Sequence, residues 1–190
     1  MVVILQKERY WIWIVLLFLA FIGVGCGTSS LEPEIENDGA MNIQIRSTGF
    51  SDGETIPLLY TCDGHDISPD LSWSGIPDSS QALVLIMDDP DAPGGTWVHW
   101  VLYGLPGDLT ELSEGAQGLG VDGVNSWRRP GYGGPCPPLG TTHRYFFKLY
   151  ALEVELNLKP GATKDEVEKA MFGHILARGQ MMGTYERSNP

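Results

Sequence analysis

The residues best equipped for chemistry lie between Asp88 and Trp100, in the run Asp-Asp-Pro-Asp-Ala-Pro-Gly-Gly-Thr-Trp-Val-His-Trp. Three carboxylates and an imidazole stand there between two apolar stretches, residues 82–87 and 101–105, whose aliphatic and β-branched make-up reads as strands. Ionised groups beside a core need partners or a ligand, because desolvating them unpaired costs several kcal/mol. Asp-Pro and Asp-Ala-Pro also form turns unaided, since aspartate bonds nearby amides and proline fixes φ. His99 follows Asp91 closely enough for the connecting loop to fold it back beside the carboxylates. An Asp–His pair at 4 Å is worth about 4 kcal/mol of attraction at an effective dielectric of 20, before desolvation. It favours the protonated ring, and a held imidazolium can bind an anion.

A second cluster is Gly131-Tyr-Gly-Gly-Pro-Cys-Pro-Pro-Leu-Gly140 followed by Thr141-Thr-His-Arg-Tyr145. Glycine and proline preset a rigid loop with exposed amides and carbonyls. His143 and Tyr145, two apart at a strand entrance, point to one face. If this loop lies against the first cluster, His99, His143 and the aspartates share a site.

The elements that must position these groups are short strands. Residues 42–48 alternate with period two, and residues 56–60 suggest an edge strand because Pro57 cannot donate to a ladder. Residues 71–73, 81–88, 98–105 and 144–152 read as further strands, the two middle ones central. Between them, residues 107–140 form a long irregular excursion, of the kind that usually has a functional reason. One helix is predicted. Thr163-Lys-Asp-Glu166 is a capping box, Val167, Ala170, Met171, His174 and Ile175 recur at helical spacing, and Gly179 would stop it. Mostly strands with one late helix indicate a mainly β fold, a β-sandwich with helical decoration.

Acidic side chains outnumber basic ones 24 to 12 with no basic stripe, which excludes a nucleic-acid partner. A small anion in a local pocket is still permitted, since aligned amides and one imidazolium outweigh a diffuse field. Lys7 and Arg9 precede an apolar run from Tyr10 to Val24 that ends in Gly25-Cys26-Gly27. A charged n-region, a short apolar stretch and small residues before a cysteine form a secretory signal, and Cys26 resembles a lipoprotein acceptor. The alternative is an uncleaved N-terminal anchor. Both place the domain outside the cytoplasm and hold it to a membrane. Residues 1–25 are thus a leader, 26–40 an acidic tether too poor in apolar surface to fold, and 41–190 the domain. Cys62 and Cys136 remain, candidates for a disulfide in an oxidising compartment, with their pairing open from sequence.

Asp88-Asp-Pro-Asp-Ala-Pro93 with Trp97-Val-His-Trp100, and Gly131-Tyr-Gly-Gly-Pro-Cys-Pro-Pro138 with His143-Arg-Tyr145, together resemble the two signature regions of the phosphatidylethanolamine-binding protein family. Tyr60-Thr-Cys-Asp-Gly64, Ile67-Ser-Pro69 and Gly183-Thr-Tyr185 look like its bacterial and archaeal branch. The resemblance implies a β-sandwich of two antiparallel sheets with a C-terminal helix. It also implies a small pocket for a phosphate-like or phospholipid head-group anion. Asp89, Asp91, His99, Pro138, His143 and Tyr145 would line it, with no cofactor. Asp70 and Asn125-Ser-Trp127 depart from the family pattern at the expected rim. Two other readings stand beside this one. Asp89, Asp91, His99 and His143 suffice in number for the metal site of a hydrolase, and the loop rims could serve an inhibitor or other protein-interaction module.

Overall fold

The computed structural model describes residues 41–188; the leader, the tether and Cys26 lie outside them. The elements in chain order are β1 (Met41–Asn42), β2 (Gln44–Arg46), a 3-10 turn (Leu58–Tyr60), β3 (Leu71–Ser74), β4 (Ala82–Asp89), β5 (Trp97–Pro106), β6 (Glu111–Leu112), β7 (Val121–Asp122), β8 (Thr142–Leu152), α1 (Lys164–Met171) and β9 (Ile175–Glu186). Six strands form one sheet in the order β1-β9-β8-β4-β5-β7, and three form another, β2-β3-β6. All neighbours are antiparallel except β1, which runs parallel to β9.

Strand β4 is the centre, with all eight residues buried. A strand covered on both faces has no polar side to alternate with, which explains its continuous aliphatic run. Leu83, Leu85 and Met87 face the core between the sheets, with Trp73, Trp100, Leu102, Phe147 and Leu149. Val84 and Ile86 face the other way, against Val101, Tyr103, Tyr150 and the helix residues Val167 and Met171. The mainly β sandwich expected from the sequence is therefore present, with α1 laid on the outer face of the larger sheet. Its capping box forms as read: Thr163 accepts from the Glu166 amide, and the Glu166 carboxylate accepts from the Thr163 amide.

Three local expectations change. Residues 42–48 do not make one strand, because the chain switches sheets at Ile43: β1 pairs with β9, and β2 pairs with β3. Residues 58–60 form a 3-10 turn, not an edge strand; Pro57 precedes it, and the Tyr60 amide bonds back to the Pro57 carbonyl. The helix ends at Met171 and the chain turns at Gly173, φ +81°. It then enters the twelve-residue strand β9, paired with β8 along its length. Gly179 is thus no helix stop. It lies within β9, where a Cβ would stand 2.0 Å from the Ile43 carbonyl oxygen, so only glycine lets the crossing chain pass.

Cys62 and Cys136 form a disulfide with 5.4 Å between their Cα atoms, closing a loop across 74 positions. A cross-link over a loop of that size is worth about 4 kcal/mol through unfolded-state entropy. A Cys62→Ser/Cys136→Ser variant should lose roughly that much stability in denaturant titration, and an unchanged midpoint would mean that the bond does not form in the folded protein.

Candidate functional site

The site is built at one end of the larger sheet, where β4 and β9 finish and β5 and β8 begin. Two consecutive carboxylates end β4, and the pleat sends them to opposite faces. Asp88, 1% exposed, turns toward the helix and meets the ammonium groups of Lys148 and Lys164, each at 2.9 Å. Asp89, 3% exposed, turns inward. Its Oδ2 accepts from Nδ1 of His143 at 2.7 Å, and its Oδ1 accepts from the Asp91 amide at 2.8 Å. A carboxylate can only accept here, so His143 carries its hydrogen on Nδ1.

His99 reaches the same place through an irregularity in β5. Asp88 lies opposite Val98 and Met87 opposite Trp100, which leaves His99 as the extra residue of a β-bulge. Regular alternation would send His99 to the opposite face from Trp100; the bulge lets both face inward. The His99 ring packs edge-on against Tyr145, 5.1 Å between centroids. Its Nδ1 donates to the Gly133 carbonyl at 2.7 Å, and the Gly133 amide returns a bond to the His99 carbonyl at 3.0 Å. The carbonyl cannot donate, so the hydrogen on Nδ1 is fixed and Nε2 keeps the lone pair in the neutral ring.

Burial holds His99 below the usual histidine range, outweighing the bond to Gly133 and the attraction of Asp89. This reverses the sign expected from sequence: the pull of a neighbouring aspartate is present, but the ring is 2% exposed and desolvation wins. Tyr145 is fully buried, and its hydroxyl lacks a well-formed hydrogen bond. Burial first, then the charge of Asp89 and a hydrogen-bonding contact with it, push its pKa far above the ordinary 10, so the phenol stays protonated.

The loop from residue 131 is held from several sides. Beyond the disulfide, the Cys62 amide bonds the Pro135 carbonyl at 3.1 Å, the Gly134 amide bonds Asp66 at 2.6 Å, and the Tyr132 hydroxyl bonds the Tyr60 carbonyl at 2.7 Å. At Gly134 a Cβ would stand 2.3 Å from the Tyr60 oxygen, so the approach requires glycine. These contacts place the Gly133 carbonyl where His99 needs it.

Of the six residues expected at the pocket, Asp89, His99, His143 and Tyr145 are brought together. Asp91 is committed elsewhere. Its carboxylate takes Arg144 Nε at 2.8 Å, Nη2 at 2.7 Å and the Arg144 amide at 3.0 Å, and these bonds lower its pKa to about 2. Pro138 lies on the exposed shoulder of its loop, where its carbonyl closes the turn into β8 by accepting from Thr141. Of the four residues proposed for a metal, Asp91 is committed to Arg144. Among the described residues no three His, Cys, Asp or Glu side chains converge so as to hold one. A separate open depression of about 600 Å3 lies at the other end of β4, lined in part by Ser80, Gln81, Pro106 and Glu155, and contains no histidine.

Trp127 is the neighbour that sequence reasoning left unassigned. Its ring stands edge-on to His99 at 5.0 Å and to Trp97 at 5.4 Å, and a Cβ on Gly133 would come within 2.7 Å of it. Asn125, 3% exposed, holds this turn by accepting from the Trp127 and Arg129 amides and donating to the Gly131 carbonyl. Asn125-Ser-Trp127 stood out only as a departure from a family pattern, which said nothing of its contact with His99. Asp70, the other departure, accepts from Ser47 and the Thr48 amide.

This combination of sandwich and buried Asp-His site defines a class. The chain belongs to the phosphatidylethanolamine-binding protein family, whose profile matches residues 46–186. It is 47% identical over 151 residues to a UPF0098 protein of Methanothermobacter thermautotrophicus, covering 76% of this chain and 99% of that one. The crystal structure of a family homologue from Chlamydia trachomatis superposes with a TM-score of 0.74 at 44% identity, covering 78% of this chain and 99% of that one. Escherichia coli YbcL, described as a member of the mammalian family, gives 0.71 at 29%, covering 76% and 98%. A Mycobacterium tuberculosis protein named as a candidate lipoprotein, LppC, is 41% identical over 76% of this chain and 72% of its own length.

Proposed function

We propose that this chain is an extracytoplasmic binding protein, held to a membrane by its N-terminal segment, whose pocket takes a phosphate-like or phospholipid head-group anion. The observation that carries the reading is the buried Tyr145 hydroxyl, left without a well-formed bond beside two imidazoles whose Nδ1 hydrogens are already spent on Gly133 and Asp89. A buried hydroxyl whose contact with Asp89 falls short of a full hydrogen bond is available to a ligand. Tyr145 donates to the anion. His99, neutral in the free pocket, takes up a proton when the incoming charge offsets the cost of its burial, and then donates as well. Asp89 keeps His143 oriented. The chemistry shared by these groups is recognition of one compact oxyanion, free or at the end of a lipid.

The location rests on the apolar run before Cys26, the likeness to a candidate lipoprotein and a disulfide of the kind that oxidising compartments sustain. No helix among the described residues is long and apolar enough to cross a membrane. Mass spectrometry of the chain from a membrane fraction should show a mature N-terminus at Cys26 carrying acyl chains, abolished by Cys26→Ser; an intact leader would instead indicate the uncleaved anchor.

Binding should be linked to proton uptake. Because the free pocket holds His99 below about 6.5, complex formation near neutral pH recruits a proton, and affinity falls by up to about tenfold per pH unit as pH rises. Isothermal titration with phosphoethanolamine and with inorganic phosphate at several pH values checks this and separates head group from free anion. Undiminished binding by a His99→Ala/His143→Ala variant would sink the assignment.

A further inference from the structure

We propose that the site-bearing end of the domain is itself a membrane-docking surface, seating Trp97 and Trp127 in the interfacial layer of a phospholipid bilayer with Arg128 and Arg129 against lipid phosphates. The inference goes beyond the pocket reading and rests on it only for the presence of a bilayer nearby.

Among the described residues, four of the six exposed large apolar side chains lie at this end, Leu119 and Phe172 lying elsewhere. Leu58, Trp97, Trp127 and Leu139 are 57%, 36%, 38% and 55% exposed. Trp97 opens β5, Leu139 lies in the turn into β8, and Trp127 follows Ser126, whose amide and hydroxyl both bond Val98. Leu58 begins the 3-10 turn that leads to Cys62 and its bridge to Cys136. Loop tips usually carry small polar residues, so tryptophan and leucine there call for a partner. Tryptophan, apolar with one polar edge, is the side chain that settles at the head-group level of a bilayer.

The charge distribution points the same way. The chain carries a formal −12, yet most carboxylates of this end are matched by a cation, Glu186 being bonded to Thr142 instead. Asp63 is paired with Arg187 at 2.9 Å, Asp66 with Arg129 at 3.4 Å, Asp91 with Arg144 at 2.7 Å and Asp89 with His143. Four of the six arginines beyond residue 40 lie here, at 128, 129, 144 and 187, whereas Lys148 and Lys164 sit on the helix face. Arg128 is exposed at the tip of the turn, held there by a left-handed φ of 61°. The Arg129 side chain lies 5.5 Å over the Trp127 ring and stays 54% exposed. Guanidinium groups beside indoles suit phosphate at an interface. Diffuse acidity elsewhere on the domain would turn its other faces away from an anionic surface, fixing the orientation.

The tether permits this pose. Chain enters at β1, alongside the start of β9 and away from the site, and β9 spans about 40 Å at 3.3 Å per residue. The fourteen residues 27–40, fully extended, reach a comparable ~45 Å.

The test uses residues 41–190 alone, since the Chlamydia homologue, covered over 99% of its length, shows that little more than this domain folds and crystallises. Co-sedimentation is measured with phosphatidylcholine vesicles with and without phosphatidylglycerol. The protein should sediment with the anionic vesicles and less so as salt rises. Arg128→Glu should cost about fivefold or more in vesicle affinity, and Trp97→Ala/Arg128→Glu about tenfold or more, while phosphoethanolamine titration stays at wild-type affinity in both. His99→Ala/His143→Ala should behave inversely, losing the soluble anion but not the vesicle, so failure of the pocket and failure of the surface are distinguishable. Wild-type protein left in the supernatant, or a double variant that sediments like it, would overturn the docking surface and leave these loops to a protein partner.

Discussion

Two adjacent carboxylates buried at the end of the central strand set the terms for the rest of this structure. Asp88 and Asp89 are 1% and 3% exposed and face opposite ways, so each needs its own cation or donor. Removing one partner of such a pair typically costs 3–5 kcal/mol, because a bare charge remains inside. Asp88 is met by Lys148 from β8 and by Lys164 from the first turn of α1. A lysine at a helix N-terminus opposes the helix dipole, and it is tolerated there because it answers a buried anion. Asp89 is met by His143. One dipeptide therefore ties the helix to the outer face of the sheet and builds the site on the inner face.

The site's second imidazole depends on backbone irregularity. Without the bulge at His99 the ring would leave the inner face, and without the Gly133 carbonyl its Nδ1 hydrogen would have no acceptor. The carbonyl is fixed in turn by a loop bonded to Tyr60, Cys62 and Asp66 and covalently bridged through Cys136. The long excursion between β5 and β8 thus supplies a rigid acceptor and an aromatic wall to a ring carried by the sheet. Docking of the same end onto a bilayer would present this preformed pocket directly to lipid head groups.

Much of this was legible in the chain. Continuous aliphatic runs marked β4 and β5 because both strands are covered on two faces, and the capping box marked α1 because side-chain bonds at helix ends are local. The clustering of Asp89, His99, His143 and Tyr145 was implied by the family resemblance that two motifs carry together. Other features depend on contacts distant in sequence. Strand β9 has a mixed pattern, and its helical look through Ile175 comes from hydrophobic positions that belong to two elements. The fate of Asp91 turned on Arg144, 53 positions away, which converts a candidate ligand group into a fastening of the loop to β8. The sign of the His99 shift could not come from its neighbours' identities, since burial decides it. The role of Trp127 likewise appears only once its loop is folded against β5.

On the proposed reading, His99 waits in the free pocket as a neutral ring, proton on Nδ1, and takes a second proton from solvent as the anion arrives. Nitrogen-15 NMR of the imidazoles of the domain, with and without phosphoethanolamine near neutral pH, observes this directly. His99 should show a neutral Nδ1–H tautomer in the free protein and an imidazolium in the complex. A ring already charged without ligand, the Nε2–H tautomer, or a resonance unmoved at saturating phosphoethanolamine would contradict that reading.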